Sequence, residues 1–253
     1  MLTTEQTITK IREQSPLVHN ITNYVVMNNT ANALLAIGAS PVMAHAIEEV
    51  EDIVSISSSL VINMGTLSPE WVDAMLSAAN KANELGKPSV FDPVGMGASP
   101  YRNQSAKSIM EAATPTVIRG NASEIMALAK VSSSTKGVDS TAASTEAIDA
   151  AQSLSQSLSN TIVISGATDY VVTGTQVDEV NEGSPMMAAV TGMGCTATAV
   201  IGACLGVNSD GHSAALSAME IMGEAGSQAA ALSKGPGSFQ MNFLDCLYGI
   251  TTS

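Results

Sequence analysis

Basic and aromatic residues are scarce in this chain of 253 residues. It holds 10 Lys and Arg against 23 Asp and Glu, which gives a formal net charge of −13 at pH 7. No Lys or Arg lies between Lys136 and Lys234. A duplex nucleic acid needs a basic surface that neutralises its phosphates, and a peripheral membrane anchor needs a polybasic segment. We therefore expect neither a nucleic-acid partner nor a membrane partner.

Long apolar runs and paired cysteines are also missing. No run approaches the roughly 20 apolar residues that span a bilayer, and residues 1–14 are too polar for a signal peptide. The three cysteines, Cys195, Cys204 and Cys246, are an odd number without metal-ligand spacing. This usage favours a reducing compartment over a disulfide framework, so we expect a cytoplasmic protein.

What remains is an apolar, aliphatic chain in which short Val- and Ile-rich runs alternate with helical patterns. Aromatic residues are only 3% of the sequence, so aliphatic side chains and 14 Met must fill the core. The runs are apolar on both faces, as in a buried parallel sheet, and the alternation predicts one doubly wound α/β domain. The predicted strands cover 41–43, 60–63, 89–91, 116–118 and 161–164, with a hairpin over 170–172 and 176–177. The predicted helices cover 4–13, 23–37, 48–55, 69–85, 106–112, 121–130, 143–158, 191–205, 213–232 and 238–248, and a Ser-rich surface loop is expected over 132–144.

Polar residues follow several of these strands, and the ends of parallel strands form the ligand-binding edge of such a sheet. Asp92 follows one strand and precedes a Pro-Val-Gly turn. Arg119 ends another, in a chain with few bases, and its positive charge suits an anionic ligand. Asn121 and Glu124 have the spacing of a helix capping box, which by itself explains both. Ser165 places a hydroxyl after the strand over 161–164.

The most informative segment is Gly192-Met193-Gly194-Cys195, which precedes a long helix of small residues. Glycines let a ligand approach the backbone, and a helix N-terminus offers free N–H groups with a partial positive charge. This arrangement suits an anion. It is neither a P-loop, because no Lys follows, nor a dinucleotide fingerprint, because the third Gly is absent.

Cys195 is open to three interpretations. On the first turn of a helix its thiol pKa should fall, which suits a reactive thiol. A hydrolase nucleophile needs a histidine base, and His19, His45 and His212 are present without a recognisable context. A tight turn followed by a small buried Cys is the structural alternative, and no His and Cys lie at metal-ligand spacing.

Six segments together resemble the hydroxyethylthiazole kinases, which belong to the ribokinase-like superfamily. The resemblance runs almost from end to end, through 15–23, 39–44, 92–95, 119–124, 191–195 and 234–239. It implies a single ribokinase-like domain over 1–253, with a mostly parallel central sheet flanked by helices. It also implies a kinase that uses ATP and Mg²⁺ to phosphorylate the primary alcohol of 4-methyl-5-(2-hydroxyethyl)thiazole, in thiamine salvage or biosynthesis.

The resemblance also implies roles for individual positions. It assigns catalytic roles to Gly192, Met193, Gly194 and Cys195, ATP contacts to Arg119, Asn121 and Ser165, substrate contacts to Asn23, Met43 and Gly192, and the Mg²⁺ region to Asp92 and Glu124. Ser165 stands where the family usually has Thr, and the hydroxyl is kept. Cys195 keeps the pattern of the thiazole kinases, where the wider superfamily has an Asp base. A homotrimer with the substrate site at the subunit interface is implied as well.

Single residues distinguish this function from the alternatives. Another vitamin or sugar kinase of the superfamily would be favoured by Asp in place of Cys195. A non-catalytic nucleotide-binding protein on the same fold would be favoured by loss of the Gly-x-Gly or of Glu124, and both are present. A thiol hydrolase would form a covalent acyl-enzyme.

Overall fold

Strands and helices alternate along most of the chain in the computed structural model, which describes residues 2–132 and 143–250. The strands are β1 (Leu17–Ile21), β2 (Ser40–Val42), β3 (Ser59–Asn63), β4 (Ser89–Asp92), β5 (Val117–Asn121), β6 (Thr161–Ser165), β7 (Asp169–Thr173) and β8 (Gln176–Val180). The helices are α1 (Thr4–Gln14), α2 (Met27–Ile37), α3 (Val50–Ile56), α4 (Pro69–Glu84), α5 (Pro100–Ala112), α6 (Ala122–Ser132), α7 (Ala143–Leu158), α8 (Met193–Leu205), α9 (Gly211–Leu232) and α10 (Pro236–Gly249). A short 3₁₀ helix covers Pro185–Ala189.

The strands form one 8-stranded sheet in the order β2-β1-β3-β4-β5-β6-β7-β8. Strands β1 to β6 are parallel, whereas β7 and β8 continue the sheet in antiparallel pairing. The register sets Asn63 beside Asp92 and Asn121 beside Ser165. The carboxyl ends of neighbouring parallel strands therefore bring their polar residues to one edge.

Helices cover both faces of the sheet, so the strands are apolar on both sides. One core cluster joins alternate strand residues such as Val61 and Val163 to α1, α2, α8, α9 and α10. The other joins Ile62, Ile118 and their neighbours to α3, α4, α5, α6 and α7. The result is a helix–sheet–helix sandwich, which confirms the predicted class: a mostly parallel sheet flanked by helices.

Helix α8 packs closely against the sheet because its residues are small. All its residues from Thr196 to Leu205 are buried, as expected for a helix that is apolar on every side. A Cβ at Gly202 would lie only 2.5 Å from Val61 Cγ2. Glycine at this position lets the helix lie directly on β3, and its N-terminus then points at the edge where the strands end.

Three elements of the structure depart clearly from the prediction. Strand β1 was not predicted, because the polar residues His19 and Asn20 interrupt its apolar pattern, yet both are buried. The predicted helix over 23–37 begins only at Met27, after a turn. Helix α5 begins earlier than predicted, at Pro100, where Ser99 caps a first turn that lacks apolar periodicity. The predicted loop over 132–144 lies almost wholly outside the described residues.

Within the described residues, no helix has both the length and the apolar character needed to cross a membrane.

Candidate active site

The carboxylate of Asp92 lies at the carboxyl end of β4 and is fully buried. Its Oδ2 accepts hydrogen bonds from Asn63 Nδ2 at 2.9 Å and from Thr198 Oγ1 at 2.6 Å. Its Oδ1 is buried and has no hydrogen-bond partner among the described residues. Burial raises the pKa of Asp92 to about 6, a rise that Arg119 and the hydrogen bond from Thr198 oppose.

Arg119 brings a guanidinium from β5 to this carboxylate. Its Nη1 lies 3.7 Å from Asp92 Oδ2, and its Nη2 donates a hydrogen bond to the hydroxyl of Ser165 on β6. Its Nε is buried without an acceptor in the part of the chain that the structure describes. A buried donor without a partner costs free energy, and an anion bound here would supply the acceptor.

The N-terminus of α8 faces the same guanidinium. Gly192 precedes the helix at φ +86°, a conformation that favours glycine, and a Cβ there would lie 2.7 Å from Val26 Cγ1. A Cβ at Gly194 would lie 2.6 Å from Arg119 Nη1. The first N–H groups of a helix have no acceptor within it, and this end carries a partial positive charge. A guanidinium and a helix N-terminus thus meet at one place, which attracts an anion from both sides.

Cys195 lies on the first turn of α8, and its Sγ accepts a hydrogen bond from Asn23 Nδ2 at 3.4 Å. Burial, and then the charge of Asp92, raise the pKa of the thiol, although the amides of Asn63 and Asn23 and the charge of Arg119 act in the opposite direction. The expectation of a lowered thiol pKa is therefore wrong. The helix position was visible in the sequence, whereas the burial and the neighbouring carboxylate were not.

Glu124 and Asn121 form the capping box that their spacing predicts. Asn121 Oδ1 accepts from Glu124 N at 3.0 Å, and Glu124 Oε2 accepts from Asn121 N at 2.8 Å. The other carboxylate oxygen, Oε1, accepts from Gly95 N at 2.7 Å. The carboxylate is thus held in one orientation, and each oxygen keeps a second lone pair for a further partner.

Asn63 and Thr198 are site residues that the sequence analysis missed. Asn63 Oδ1 accepts from Asn23 Nδ2 at 2.9 Å and from Gly65 N at 3.0 Å, so its amide links Asn23 to Asp92. Asn63 ends a predicted strand and could have been found by grouping all polar residues at strand ends. Thr198 lies one helical turn after Gly194, inside a buried helix, and no motif in the sequence around it indicates a role in the site.

Met43 follows a strand that carries none of the residues of this network. It is half-buried directly after β2, the edge strand, which β1, β3 and β4 separate from β5. Two residues after Met43, the His45 ring lies 4.5 Å from the Trp71 ring, and the Tyr24 ring lies 4.6 Å from the same Trp71 ring. The structure thus joins the predicted residues from Asn23 through Cys195 and Asp92 to Ser165. Met43 follows β2, which pairs with β1, the strand that precedes Asn23.

The sequence as a whole matches one protein family. The profile of the hydroxyethylthiazole kinase family matches residues 8–253. A hydroxyethylthiazole kinase of Leptospira biflexa is 56% identical over 238 residues, covering 94% of this chain and 89% of that protein. One from Syntrophus aciditrophicus is 55% identical over 242 residues, covering 95% and 90%. The chain belongs to the hydroxyethylthiazole kinase family.

Solved structures agree with this assignment. The hydroxyethylthiazole kinase structure from Pyrococcus horikoshii superposes with a TM-score of 0.91 at 40% identity, covering 98% of this chain and 94% of that one. A Bacillus subtilis pyridoxal kinase gives a TM-score of 0.62 at 16% identity, covering 85% and 93%. A ribokinase-like superfamily protein of Enterococcus faecalis gives 0.64 at 14%, covering 92% and 86%. The last two show the fold alone, and that fold is ribokinase-like, as the resemblance implied.

The stability of this kinase should depend on pH through Asp92. Burial raises the pKa of its carboxyl to about 6 in the folded protein, from an ordinary value of 3.8. Below the lower of these two pKa values, the Asp92 carboxyl is protonated in both the folded and the unfolded state. Between these two values the unfolded state ionises first, so the free energy of unfolding falls by about 3 kcal/mol in all, at 1.36 kcal/mol per pKa unit, and it levels off above the folded pKa.

Urea unfolding of the parent and of Asp92→Asn, at several pH values between about 4 and 8, measures this effect. The two proteins have all other carboxyls in common, so their difference in free energy of unfolding reports on Asp92 alone. The free energy of unfolding of the parent should fall relative to that of the variant as the pH rises. A difference that stays constant with pH would show that the Asp92 pKa is not raised.

Proposed function

We propose that this protein transfers the γ-phosphoryl group of ATP to the primary alcohol of 4-methyl-5-(2-hydroxyethyl)thiazole, in the thiamine pathway. We further propose that it does so in the cytoplasm, as one kinase domain over residues 1–253. Membership of the family supports the substrate. The observation that carries the chemistry is the Arg119 guanidinium against the open N-terminus of α8, beside Asp92 and Cys195.

Arg119 and the N–H groups of residues 192–194 are proposed to hold the transferring phosphoryl group. Phosphoryl transfer depends on positioning and charge neutralisation more than on covalent chemistry. The phosphate would give the buried Arg119 Nε the acceptor that it lacks among the described residues. Ser165 fixes one end of the guanidinium, and Asn121, exposed at the end of β5, completes the proposed ATP contacts.

Asp92 and Glu124 are proposed to hold Mg²⁺, directly or through water. In the described part of the chain no three His, Cys, Asp or Glu side chains gather as a metal cluster. Mg²⁺ does not need one, because it is held by one or two carboxylates together with waters and substrate phosphates. The unpartnered Oδ1 of Asp92 suits such a cation. When bound, Mg²⁺ would neutralise charge on the phosphates.

Cys195 and Asn23 are proposed to orient the acceptor alcohol. The alcohol oxygen forms the new bond to phosphorus while the bond to the β-phosphate oxygen breaks. In a loose transition state the alcohol loses its proton late, so a strong base is not needed. A thiol with a raised pKa can therefore receive a hydrogen bond from the alcohol without acting as a nucleophile.

The thiazole ring is proposed to lie between Asn23, Gly192 and Met43, in a homotrimer whose substrate site is at the subunit interface. Two residues beside Asn23 support an interface there, because Tyr24 and Val25 are apolar and exposed at 63% and 61%. Ile47, near Met43, is also exposed. A second subunit would cover these residues and close the site.

An assay of ATP consumption against thiazole, pyrimidine and sugar alcohols tests the proposed function. We expect ADP and phosphorylated thiazole to form in equal amounts with the thiazole alcohol, and EDTA to stop the reaction until excess Mg²⁺ is added. Turnover with a sugar or pyrimidine alcohol, and none with the thiazole, would contradict the proposed substrate. Product formed at an unchanged rate in EDTA would contradict the metal requirement.

A further inference from the structure

Arg102 lies on the first turn of α5 and binds three backbone carbonyls. Its Nη1 donates to Met64 O at 2.6 Å and to Val94 O at 2.5 Å, and its Nη2 donates to Gly65 O at 2.8 Å. A cation at a helix N-terminus is disfavoured, because this end of the helix carries a partial positive charge. Arg102 is therefore poorly placed for the helix itself, and the three converging carbonyls account for its position.

The carbonyls of Met64 and Gly65 belong to the β3–α4 loop (residues 64–68), which supports the acceptor side of the site. A Cβ at Gly65 would lie 2.5 Å from Asn23 Nδ2, so this loop lies directly against Asn23. The loop also accepts a hydrogen bond from Tyr24 N to Thr66 Oγ1 at 3.2 Å. Asn23 in turn donates to Cys195 Sγ. The position of the β3–α4 loop thus determines where Asn23 meets Cys195.

The carbonyl of Val94 belongs to the β4–α5 loop (residues 93–99), which supports the phosphate and metal side. Gly95 N in this loop donates to Glu124 Oε1 at 2.7 Å. The loop directly follows Asp92, and its Gly97 N donates to Asn103 Oδ1 on α5 at 2.9 Å. The position of this loop thus determines how the Glu124 carboxylate is oriented.

We infer that Arg102 is a positioning residue for phosphoryl transfer: its guanidinium ties the β3–α4 loop to the β4–α5 loop and so fixes the acceptor alcohol relative to the phosphate. The rigid, planar guanidinium spreads its donors over separate nitrogens, whereas a Lys carries its three donors on one nitrogen at the end of a flexible chain. The inference rests on the proposed function, because the acceptor and the phosphate are those of the kinase reaction. Arg102 contacts neither of them.

The test compares Arg102→Met with Arg12→Met. Arg12 is a matched control, because its Nη2 also donates to two backbone carbonyls, Tyr248 O and Ile250 O, both at 2.9 Å and away from the site. Both variants should lose stability through unsatisfied carbonyls. Only Arg102→Met should lose kcat, by about 10²-fold, since a misplacement near 1 Å can cost that much. Its KM for ATP should change little, because Arg119 and α8 are untouched.

Two further measurements separate positioning from general destabilisation. Arg102→Lys should fold and still show a reduced kcat, because a single ammonium nitrogen cannot hold the two loops at the spacing that Nη1 and Nη2 set. Guanidinium chloride at low millimolar concentration should raise kcat of Arg102→Ala in a saturable manner and leave Arg12→Ala unchanged.

The outcomes are distinct. A parent protein with no thiazole kinase activity would overturn the proposed function. If the parent is active and a folded Arg102→Met or Arg102→Lys variant has the parental kcat, the positioning role of Arg102 is overturned and the proposed function stands. If Arg102→Met fails to fold, Arg102→Lys and the guanidinium measurement decide, and a kcat in Arg102→Ala that does not respond to guanidinium would count against positioning.

Discussion

Replacing Gly194 with alanine should lower kcat by about 10²–10³-fold, the usual cost of losing one donor to a developing charge. The new Cβ would lie 2.6 Å from Arg119 Nη1 and 2.8 Å from Nη2, so the guanidinium must move. That movement removes its contacts with Asp92 and Ser165. Because a guanidinium ends a flexible side chain, the fold can accommodate the change. Alanine is also favoured over glycine within a helix, by about 1 kcal/mol.

Steady-state kinetics with ATP and the thiazole alcohol, together with the melting temperature, measure this effect. Gly237→Ala is the matched control, because it is also a glycine on the first turn of a helix and a Cβ there meets nothing within 4 Å. We expect parental kcat and a similar or higher melting temperature for the control. A folded Gly194→Ala variant with parental kcat and KM for ATP would show that the phosphate binds elsewhere.

Cys195→Asp should remain active, whereas Cys195→Ala should be slower by about 10²-fold, at the lower end of general-base contributions. The attacking oxygen belongs to the substrate, so the side chain at this position has only to orient the alcohol, and its deprotonated form can receive the proton. The Asn23 amide that donates to Sγ can donate equally to a carboxylate. The helix N-terminus and Arg119 also favour a negative charge at this position.

The pH dependence of kcat distinguishes the parent, with a thiol at position 195, from Cys195→Asp, with a carboxyl there. Burial and Asp92 raise the pKa of the Cys195 thiol and should act in the same direction on a carboxyl there. An unperturbed Asp carboxyl has a pKa about 4.6 units below that of a Cys thiol, so kcat of Cys195→Asp should reach its plateau at lower pH than that of the parent. Cys246→Ala, which removes a thiol outside the site, is the control. An inactive Cys195→Asp variant that still binds ATP, with a phosphorylated or thiazole-linked Cys195 in the parent, would overturn this mechanism.

Local features of the site could be predicted from the sequence, because each depends on residues close together in the chain. The capping box of Asn121 and Glu124 needs only a spacing of three, and it forms as expected. The glycines at 192 and 194 mark a helix N-terminus, which the structure places there. The position of Asp92 at a strand end follows from the apolar run before it.

The resemblance identified the family, which no single motif could do. A lone Gly-x-Gly, a strand-end Asp or a Cys on a first helical turn each has an ordinary structural explanation. Six matching segments spread over the chain point to one family, and the family profile matches residues 8–253. The roles of the individual residues remain predictions for the variants above to test.

The sequence by itself thus determined the α/β class, the family and the strand-end and helix-end residues. The tertiary structure decided which of those residues meet. Strand order and burial result from packing across the whole sheet, and a periodic pattern does not encode them. The guanidinium of Arg119 against Gly194, the amide of Asn63 between Asn23 and Asp92, and the three carbonyls around Arg102 all join distant segments. The raised pKa of Cys195 has the same origin, because burial and Asp92 reach the thiol only in the folded chain.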